Sequence, residues 1–316
     1  MNNNLEKKLY RSISDYYLDE YGEKVYKLPI HLPLTCPNRD GSKGKGGCIF
    51  CGSSGGSFET HGSHVPVREQ LQRNRELIHR KYKANKFISY FMNYSNTYLP
   101  LQDFKFYISE ALDDDIVGLN ISTRPDMIFE DQLDFLSTLP LENRHITFEL
   151  GLQTVNTTTL EILNRCHGLS DFIWAARILK NYGYRICTHF ILDLPWDSNA
   201  DVKEAAEICN VLQIDEVKIH SLYVLKNTLL GNKYVNGEFI PLTEKDYIER
   251  VALFLSHLHP DIVISRIVGR APEEESLMVN WNKSWWKVRD ALLDYMLQEK
   301  NYKKKGGKSY GKVHFR

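Results

Sequence analysis

Three cysteines fall in one loop: Cys36, Cys48 and Cys51, spaced C-x11-C-x2-C. Gly41, Gly44, Gly46 and Gly47 lie between the first two. A loop this rich in glycine can turn sharply and bring backbone N–H groups close to whatever the sulfurs hold. Donors of that kind are one means of tuning an iron–sulfur cluster. The count of three is informative. A structural zinc site takes four ligands, and most [4Fe–4S] clusters take four cysteines. Three thiolates leave one iron of a cubane open to a small molecule. A redox disulfide needs only the C-x-x-C pair and leaves Cys36 without a role. Zinc stays open as a reading, with His31, His61 or His64 as its fourth ligand.

The elements that must carry this loop follow from hydrophobic periodicity. It predicts strands over 27–35, 87–92, 116–123, 145–150, 184–192, 216–222 and 262–267. Helices are predicted over 66–84, 104–112, 129–138, 157–165, 171–182, 201–212, 244–257 and 285–298. Strand-then-helix alternation argues a parallel sheet with helical crossovers. Strands so rich in β-branched and aromatic residues suit a sheet covered on both faces. The fold class is therefore α/β, a partial (β/α)6 TIM-like barrel with N- and C-terminal extensions. An N-terminal extension is expected over 1–26, the barrel over 27–270, and a C-terminal helix with a basic tail over 271–316. In such barrels chemistry sits at the C-terminal ends of the strands. The distinctive residues fall there: the cysteine loop, the polar stretch 94–98, Ser122-Thr123-Arg124, Glu149 with Gln153, Asp193, and His220.

Hydrophobic residues make up 42% and charged residues 25% of the 316, as in an ordinary globular protein. Forty basic residues balance forty acidic ones, so whole-chain charge names no partner. No run of about eighteen apolar residues occurs, and none is expected to span a membrane. The first residues lack the apolar stretch of a signal peptide. Cys166, Cys187 and Cys209 are scattered singly and read as buried thiols rather than a disulfide framework. A reducing, cytoplasmic setting is expected.

Several segments together resemble a known family. They are CPNRDGSKGKGGCIFC (36–51), STRPD (122–126), FELGLQTVNTTTLEILNRCH (148–167) and VKIHSLYVLKNT (217–228). They are similar to the radical S-adenosylmethionine (radical SAM) superfamily, within it to the YtqA/YhcC-type proteins, and through these to the radical SAM domain of the elongator catalytic subunit. The resemblance covers residues 28–286. The wide first gap departs from the superfamily's commonest C-x3-C, and this subgroup shares it. The resemblance implies that Cys36, Cys48 and Cys51 hold three irons of a [4Fe–4S] cluster. The fourth iron takes the amino and carboxylate groups of S-adenosylmethionine. One electron then cleaves that cofactor to methionine and a 5′-deoxyadenosyl radical, which abstracts hydrogen from the substrate.

On that resemblance the strand-end residues acquire roles as cofactor contacts. Ser122, Thr123 and Arg124 would grip the carboxylate, for which a guanidinium is well shaped; the alternative for Arg124 is a pair with Asp126. Glu149 is a carboxylate in an apolar strand and costs free energy unless paired. A ribose diol or an amino group would pair it, and so would Arg124 or Arg185. Gln153 flanks it beyond Gly151. Residues 94–98 would offer backbone contacts to the amino group. Arg165 and His167 are placed as caps of the following helix. Asp193 and His220 face a substrate mouth or belong to a polar core.

Two basic runs bear on the substrate. Residues 68–86 carry Arg68, Arg73, Arg75, Arg80, Lys81, Lys83 and Lys86 against Glu69 and Glu76. Residues 300–316 carry seven Lys or Arg, no acid, and Tyr302, Tyr310, His314 and Phe315. Cations interleaved with aromatics suit a nucleic-acid backbone and stacked bases; a solvated helix face and a tail are the plainer account. The resemblance tips the reading toward the C5 side chain of tRNA wobble uridine, a carboxymethylaminomethyl-type group matured toward aminomethyl. The implied partners are tRNA and an electron donor such as flavodoxin or ferredoxin. Radical SAM chemistry on a small metabolite such as a porphyrin precursor is one alternative. A zinc-stabilised RNA-binding module without catalysis is another.

Overall fold

The computed structural model describes residues 9–53, 55, 56, 58, 61–140 and 145–298. The basic stretch 300–316 lies outside them. The chain runs β1 (Arg11–Ser12), α1 (Ile13–Tyr21), β2 (Val25–Ile30), α2 (Val67–Tyr82), β3 (Lys86–Phe91), α3 (Leu101–Glu110), β4 (Ile116–Thr123), α4 (Glu130–Ser137), β5 (His145–Gln153), α5 (Thr157–Ile162) and α6 (Leu169–Asn181). It continues through β6 (Arg185–Ile191), α7 (Asn199–Val211), β7 (Glu216–His220), β8 (Val224–Leu225), α8 (Leu229–Val235), α9 (Glu244–His257), β9 (Val263–Arg266), β10 (Ser276–Met278) and α10 (Trp285–Gln298). One sheet has the order β1-β9-β7-β6-β5-β4-β3-β2, and β8 pairs with β10 in a second. Six successive β/α units from β2 onward make this the expected α/β, partial (β/α)6 class.

The chain divides into two compact units. One comprises Ser14–Leu152 and Asn164–Cys187. Its strands β2 to β5 pair in parallel, Leu28 with Ser89, Tyr90 with Asn120, and Ser122 with Glu149. Leu28, Ile30, Phe87, Phe91, Leu119, Ile121, Phe148 and Leu150 are fully buried. Apolar side chains on both faces of these strands explain why they read as continuous apolar runs. Pro29 is tolerated because β2 is the edge strand, where a missing N–H leaves no ladder bond unmade. A salt bridge shows that these strands curl. Lys27 on β2 reaches Glu149 on β5, Nζ to Oε1, at 2.8 Å. In a flat sheet those strands lie about 14 Å apart at about 4.8 Å per spacing, too far for the two side chains to meet.

The second unit comprises residues up to Ile13, Gln153–Leu163 and the chain from Thr188. Here β9 pairs in parallel with both β1 and β7. Capping boxes start its helices: Ser198 with Asp201 begins α7, and Thr243 with Asp246 begins α9. In each, the hydroxyl accepts an N–H of the first turn while the carboxylate accepts one from the cap residue. Asn210 ties the ends of α7 and α9, donating to His257 O at 2.8 Å and accepting from His259 N at 2.7 Å.

Several expected boundaries moved, two of them beside the cysteine loop. The strand expected over 27–35 ends at Ile30, because the backbone beyond it bonds side-chain amides instead of a neighbouring strand. The helix expected over 157–165 ends at Ile162, and residues 164–166 turn back into the cysteine loop. Three arginines of the basic run on α2 are paired with carboxylates. Arg68 pairs with Glu110, Arg73 with Glu69, and Arg75 with both Asp113 and Asp115.

Candidate functional site

The exit from β2 is held by two buried amides. Gln70 accepts from His31 N at 2.9 Å and returns a bond to His31 O at 2.9 Å. Asn93 accepts from Leu32 N at 3.1 Å and donates to Leu32 O at 2.9 Å. Each amide mimics a peptide and takes over the pairing a strand would have supplied. The chain is thus aimed before it reaches Cys36, four residues on.

The cysteine loop then folds on itself. Arg39 N donates to Cys36 O at 2.7 Å, Lys43 N to Pro37 O at 2.8 Å, and Gly47 N to Asn38 O at 2.8 Å. Gly47 has φ 80°, a left-handed conformation that suits glycine, and any Cβ there would meet the Arg39 side chain at 3.0 Å. Arg39 donates to the Cys51 and Gly52 carbonyls, both at 2.6 Å, with its guanidinium 5.5 Å above the Tyr94 ring. The three thiols are mutual neighbours. Burial pushes the Cys51 thiol up, and the nearby Cys48 and Cys36 sulfurs add to it while Arg39 opposes them.

Residues 164–166 form a clasp on this loop. Asn164 and Cys166 adopt φ 55° and 54°, a conformation that costs a non-glycine residue free energy. Asn164 Nδ2 donates to Gly47 O at 2.8 Å and Lys45 O at 3.3 Å, while its carbonyl accepts from Asn38. Arg165 is buried; its Nη1 donates to Cys48 Sγ at 3.1 Å, its Nη2 to Gly151 O, and its Nε to His167 Nε2 at 3.2 Å. Asn38 Nδ2 stands 3.5 Å from the same sulfur. The expected capping role of Arg165 and His167 is therefore corrected: Gly168 caps α6, and Arg165 reaches back to a cysteine. Burial, then the Arg165 and Arg124 cations, push His167 down to about 2, so its ring is neutral. Cys166 is corrected too, being exposed where a buried thiol was expected; Cys187 and Cys209 are buried. The clasp had one sequence signal, an Asn followed by Arg, Cys and His just past a short helix, since Asn tolerates left-handed backbone.

The strand-end candidates have these surroundings. Ser122 Oγ stands 3.4 Å from Tyr90 Oη, and the Ser122 carbonyl accepts twice from Asn96, from N and Nδ2, both at 2.9 Å. Thr123 and Thr97 share a hydroxyl–hydroxyl bond. Arg124 is buried and grips Asp126 in bidentate fashion at 2.9 and 3.0 Å, the pairing foreseen as its alternative. Burial opposes its charge, the Asp126 carboxylate more than restores it, and the Cys36 and Cys48 sulfurs are near enough to contribute. Glu149 takes Lys27 at 2.8 Å, Asn120 at 2.7 Å and Tyr90 at 2.9 Å. Its ion-pair partner here is a lysine from β2, while Arg124 is taken by Asp126. Gln153 closes β5 with φ 76° and belongs to the second unit.

In that second unit Asp193 is fully buried after β6 and accepts from Leu222 N at 2.8 Å. Burial pushes its carboxyl up to about 7, against that N–H and Arg250. A raised carboxyl stabilises the fold while protonated, so the contribution is complete below pH 4 and is lost as pH climbs through 7. Each pH unit of that window removes up to about 1.4 kcal/mol. Asp193→Asn keeps the acceptor without the charge. It should melt with the parent near pH 4 and above it at pH 8, in thermal scans at the two pH values; coincident shifts at both contradict this. The His189 and His220 rings lie 5.3 Å apart in the same unit.

The donor set, three thiols in one loop, suits a cluster that leaves one iron for a small molecule. A structural zinc takes four ligands. In the same unit as the thiols, Asn38 Oδ1, Ser95 Oγ, Asn96 Oδ1 and Arg124 Nη1 are buried without a protein partner. Such atoms cost free energy unless something satisfies them, and donors and acceptors together fit a zwitterionic amino acid.

Known proteins match this chain in both sequence and fold. The model of the Radical SAM superfamily matches residues 38–209, and that of the Radical SAM C-terminal domain matches residues 214–298. The chain is 33% identical to YtqA of Bacillus subtilis over 291 residues, 92% of this chain and 89% of that one. It is 31% identical to the tRNA uridine(34) acetyltransferase of Methanocaldococcus jannaschii over 168 residues, 52% of this chain and 30% of that enzyme. Among solved structures, Elp3 of Methanocaldococcus infernus without its N-terminus superposes with a TM-score of 0.65 at 20% identity. That match covers 87% of this chain and 63% of the other, and is a likeness of fold.

Proposed function

The chain belongs to the radical SAM superfamily, with a [4Fe–4S] cluster and S-adenosylmethionine as its cofactors, and from that premise we propose that it modifies the C5 side chain of tRNA wobble uridine. The reaction would mature a carboxymethylaminomethyl-type group toward aminomethyl, at an sp3 carbon beside nitrogen. One observation carries the substrate: the 168 residues similar to a tRNA uridine(34) acetyltransferase. Acetyl transfer is not part of the proposal, since the similarity spans 30% of that enzyme. The seven cations of residues 300–316 add support from sequence.

In this reading Cys36, Cys48 and Cys51 hold three irons. Ser122, Thr123, Arg124, Glu149 and Gln153 serve the second cofactor. When bound, the two cofactors together supply hydrogen abstraction from a C–H bond. The protein's own part is placement. Arg124, oriented by Asp126, keeps its Nη1 donor for a carboxylate. Glu149 gathers Lys27, Tyr90 and Asn120, and so fixes β2, β3 and β4 around the cysteine loop. The buried polar loop Asn93–Thr97 presents Ser95 and Asn96 to the same unit.

The test compares modified nucleosides in tRNA from cells with and without the gene. Loss of the aminomethyl-type nucleoside with build-up of its precursor is expected. An unchanged profile removes the RNA substrate and leaves the radical chemistry standing. One observation favours a small metabolite instead: Arg68, Arg73 and Arg75 of α2 are matched by carboxylates, which reduces the basic face that helix offers. An unchanged profile would hand the reading to that alternative.

A further inference from the structure

Arg165 is a buried cation without a carboxylate partner among the described residues. Its guanidinium is spent on Cys48 Sγ, Gly151 O and the neutral His167 ring. Burying an unpaired charge is costly, so a persistent one calls for an anion close by. The other cations near the thiols are differently placed. Arg124 is neutralised by Asp126 in bidentate fashion, and Arg39, only half-buried, donates to the Cys51 and Gly52 carbonyls and stands beside the Cys51 thiol. Arg165 is the buried guanidinium that donates to the Cys48 sulfur. The backbone goes to some expense to put it there, since it sits between two non-glycine residues at φ 55° and 54°. Asn164 anchors the turn on the Gly47 carbonyl at 2.8 Å, next to Cys48 itself.

We propose that Arg165 is a positioning residue that sets how readily the cluster held by Cys36, Cys48 and Cys51 accepts an electron, by donating to the Cys48 sulfur. This rests on the cluster reading above. Reduction adds one electron from an external low-potential donor protein and places more negative charge on the sulfurs. An N–H donor and a fixed positive charge at one sulfur stabilise that form and raise the potential. Arg165 loses no proton in the step, because a guanidinium stays charged in proteins. Asn38, at 3.5 Å from the same sulfur, adds a weaker neutral donor. The Cys48 sulfur thus has two buried side-chain donors, Arg165 and Asn38, while the half-buried Arg39 serves Cys51.

The test is a mediated redox titration of the anaerobically reconstituted full chain, followed by the electron paramagnetic resonance signal of the reduced cluster. Only loaded molecules give that signal, so partial loading does not blur the reading. Arg165→Gln is expected to shift the midpoint to more negative potential. Arg165→Lys, which keeps the charge without the forked geometry, should fall between it and the parent. Iron and sulfide per loaded chain should be unchanged. A midpoint in Arg165→Gln equal to that of the parent overturns the proposal, whatever happens to stability. So does Arg165→Lys shifting as far as Arg165→Gln while both lose stability equally, which is the mark of a merely structural role. If the parent itself takes up one zinc and no iron, the cluster reading fails, and that outcome is visible before any variant is titrated.

Discussion

Cys48→Ser brings bound iron from about four per chain to under about one after anaerobic reconstitution, and cleavage of S-adenosylmethionine falls to background. Serine keeps the size of the side chain and replaces a soft thiolate with a hard, protonated oxygen that iron–sulfide chemistry does not favour. Position 48 is the most informative of the three. Its sulfur is buried, lies 3.1 Å from Arg165 Nη1, and is flanked by a neighbour on each side of the loop in Cys36 and Cys51. Loss of that sulfur also strands the Arg165 charge, so stability should fall with the iron. Cys166→Ser is the control. Cys166 sits one residue from Arg165, is exposed, and offers its thiol to Asn164 Oδ1 at 3.5 Å. It should keep full iron. Iron and acid-labile sulfide, read with absorbance near ~400 nm, where thiolate-bound [4Fe–4S] clusters absorb, decide the matter. Full iron in Cys48→Ser, or loss of iron in Cys166→Ser, would move the third ligand to Cys166.

That control shows where sequence was legible and where it was not. The cysteine spacing is local information, and so are the strands that precede the site. β4 at Ile116–Thr123 and α9 at Glu244–His257 stand where periodicity put them, because each is a long pattern with a clear stop or cap. The Arg124–Asp126 pair was legible for the same reason, being two residues apart. What escaped was decided by long-range contact. α5 stops at Ile162 because Asn164 is needed on a carbonyl 117 residues earlier. The carboxylates that neutralise Arg68 and Arg75 come from Glu110, Asp113 and Asp115, about one β/α unit further along the chain. β1 and β8 are two residues each, too short to carry a period. The lysine that answers Glu149 lies 122 residues away on a strand three places across the sheet. Only the curl of the sheet brings it near, and no window of sequence encodes curl.

The same pair yields the largest expected stability change away from the cysteines. Lys27→Met should destabilise the protein by about 3 kcal/mol or more. The Glu149 side chain is 0% exposed and that of Lys27 is 18% exposed, so the pair is buried from the carboxylate side. Met keeps the length and packing of the lysine stem over the Tyr90 ring, where Nζ now sits 5.3 Å from the centroid. What it removes is the charge that answers a carboxylate out of reach of water. Glu149→Gln in the same chain should restore most of the loss, because Asn120 can still donate to the amide oxygen while the Tyr90 hydroxyl accepts from the amide nitrogen. The urea midpoints of the parent, the two single variants and the double variant form a cycle whose coupling term isolates the pair. A Lys27→Met midpoint at the parent value would mean that the carboxylate is answered elsewhere. The cycle also separates the two roles open to Glu149. If it serves only to tie β2 to β5, the double variant regains both stability and affinity for S-adenosylmethionine. If it also contacts that cofactor, the double variant regains stability and stays weak in binding, and Lys27→Met alone binds nearly as the parent does.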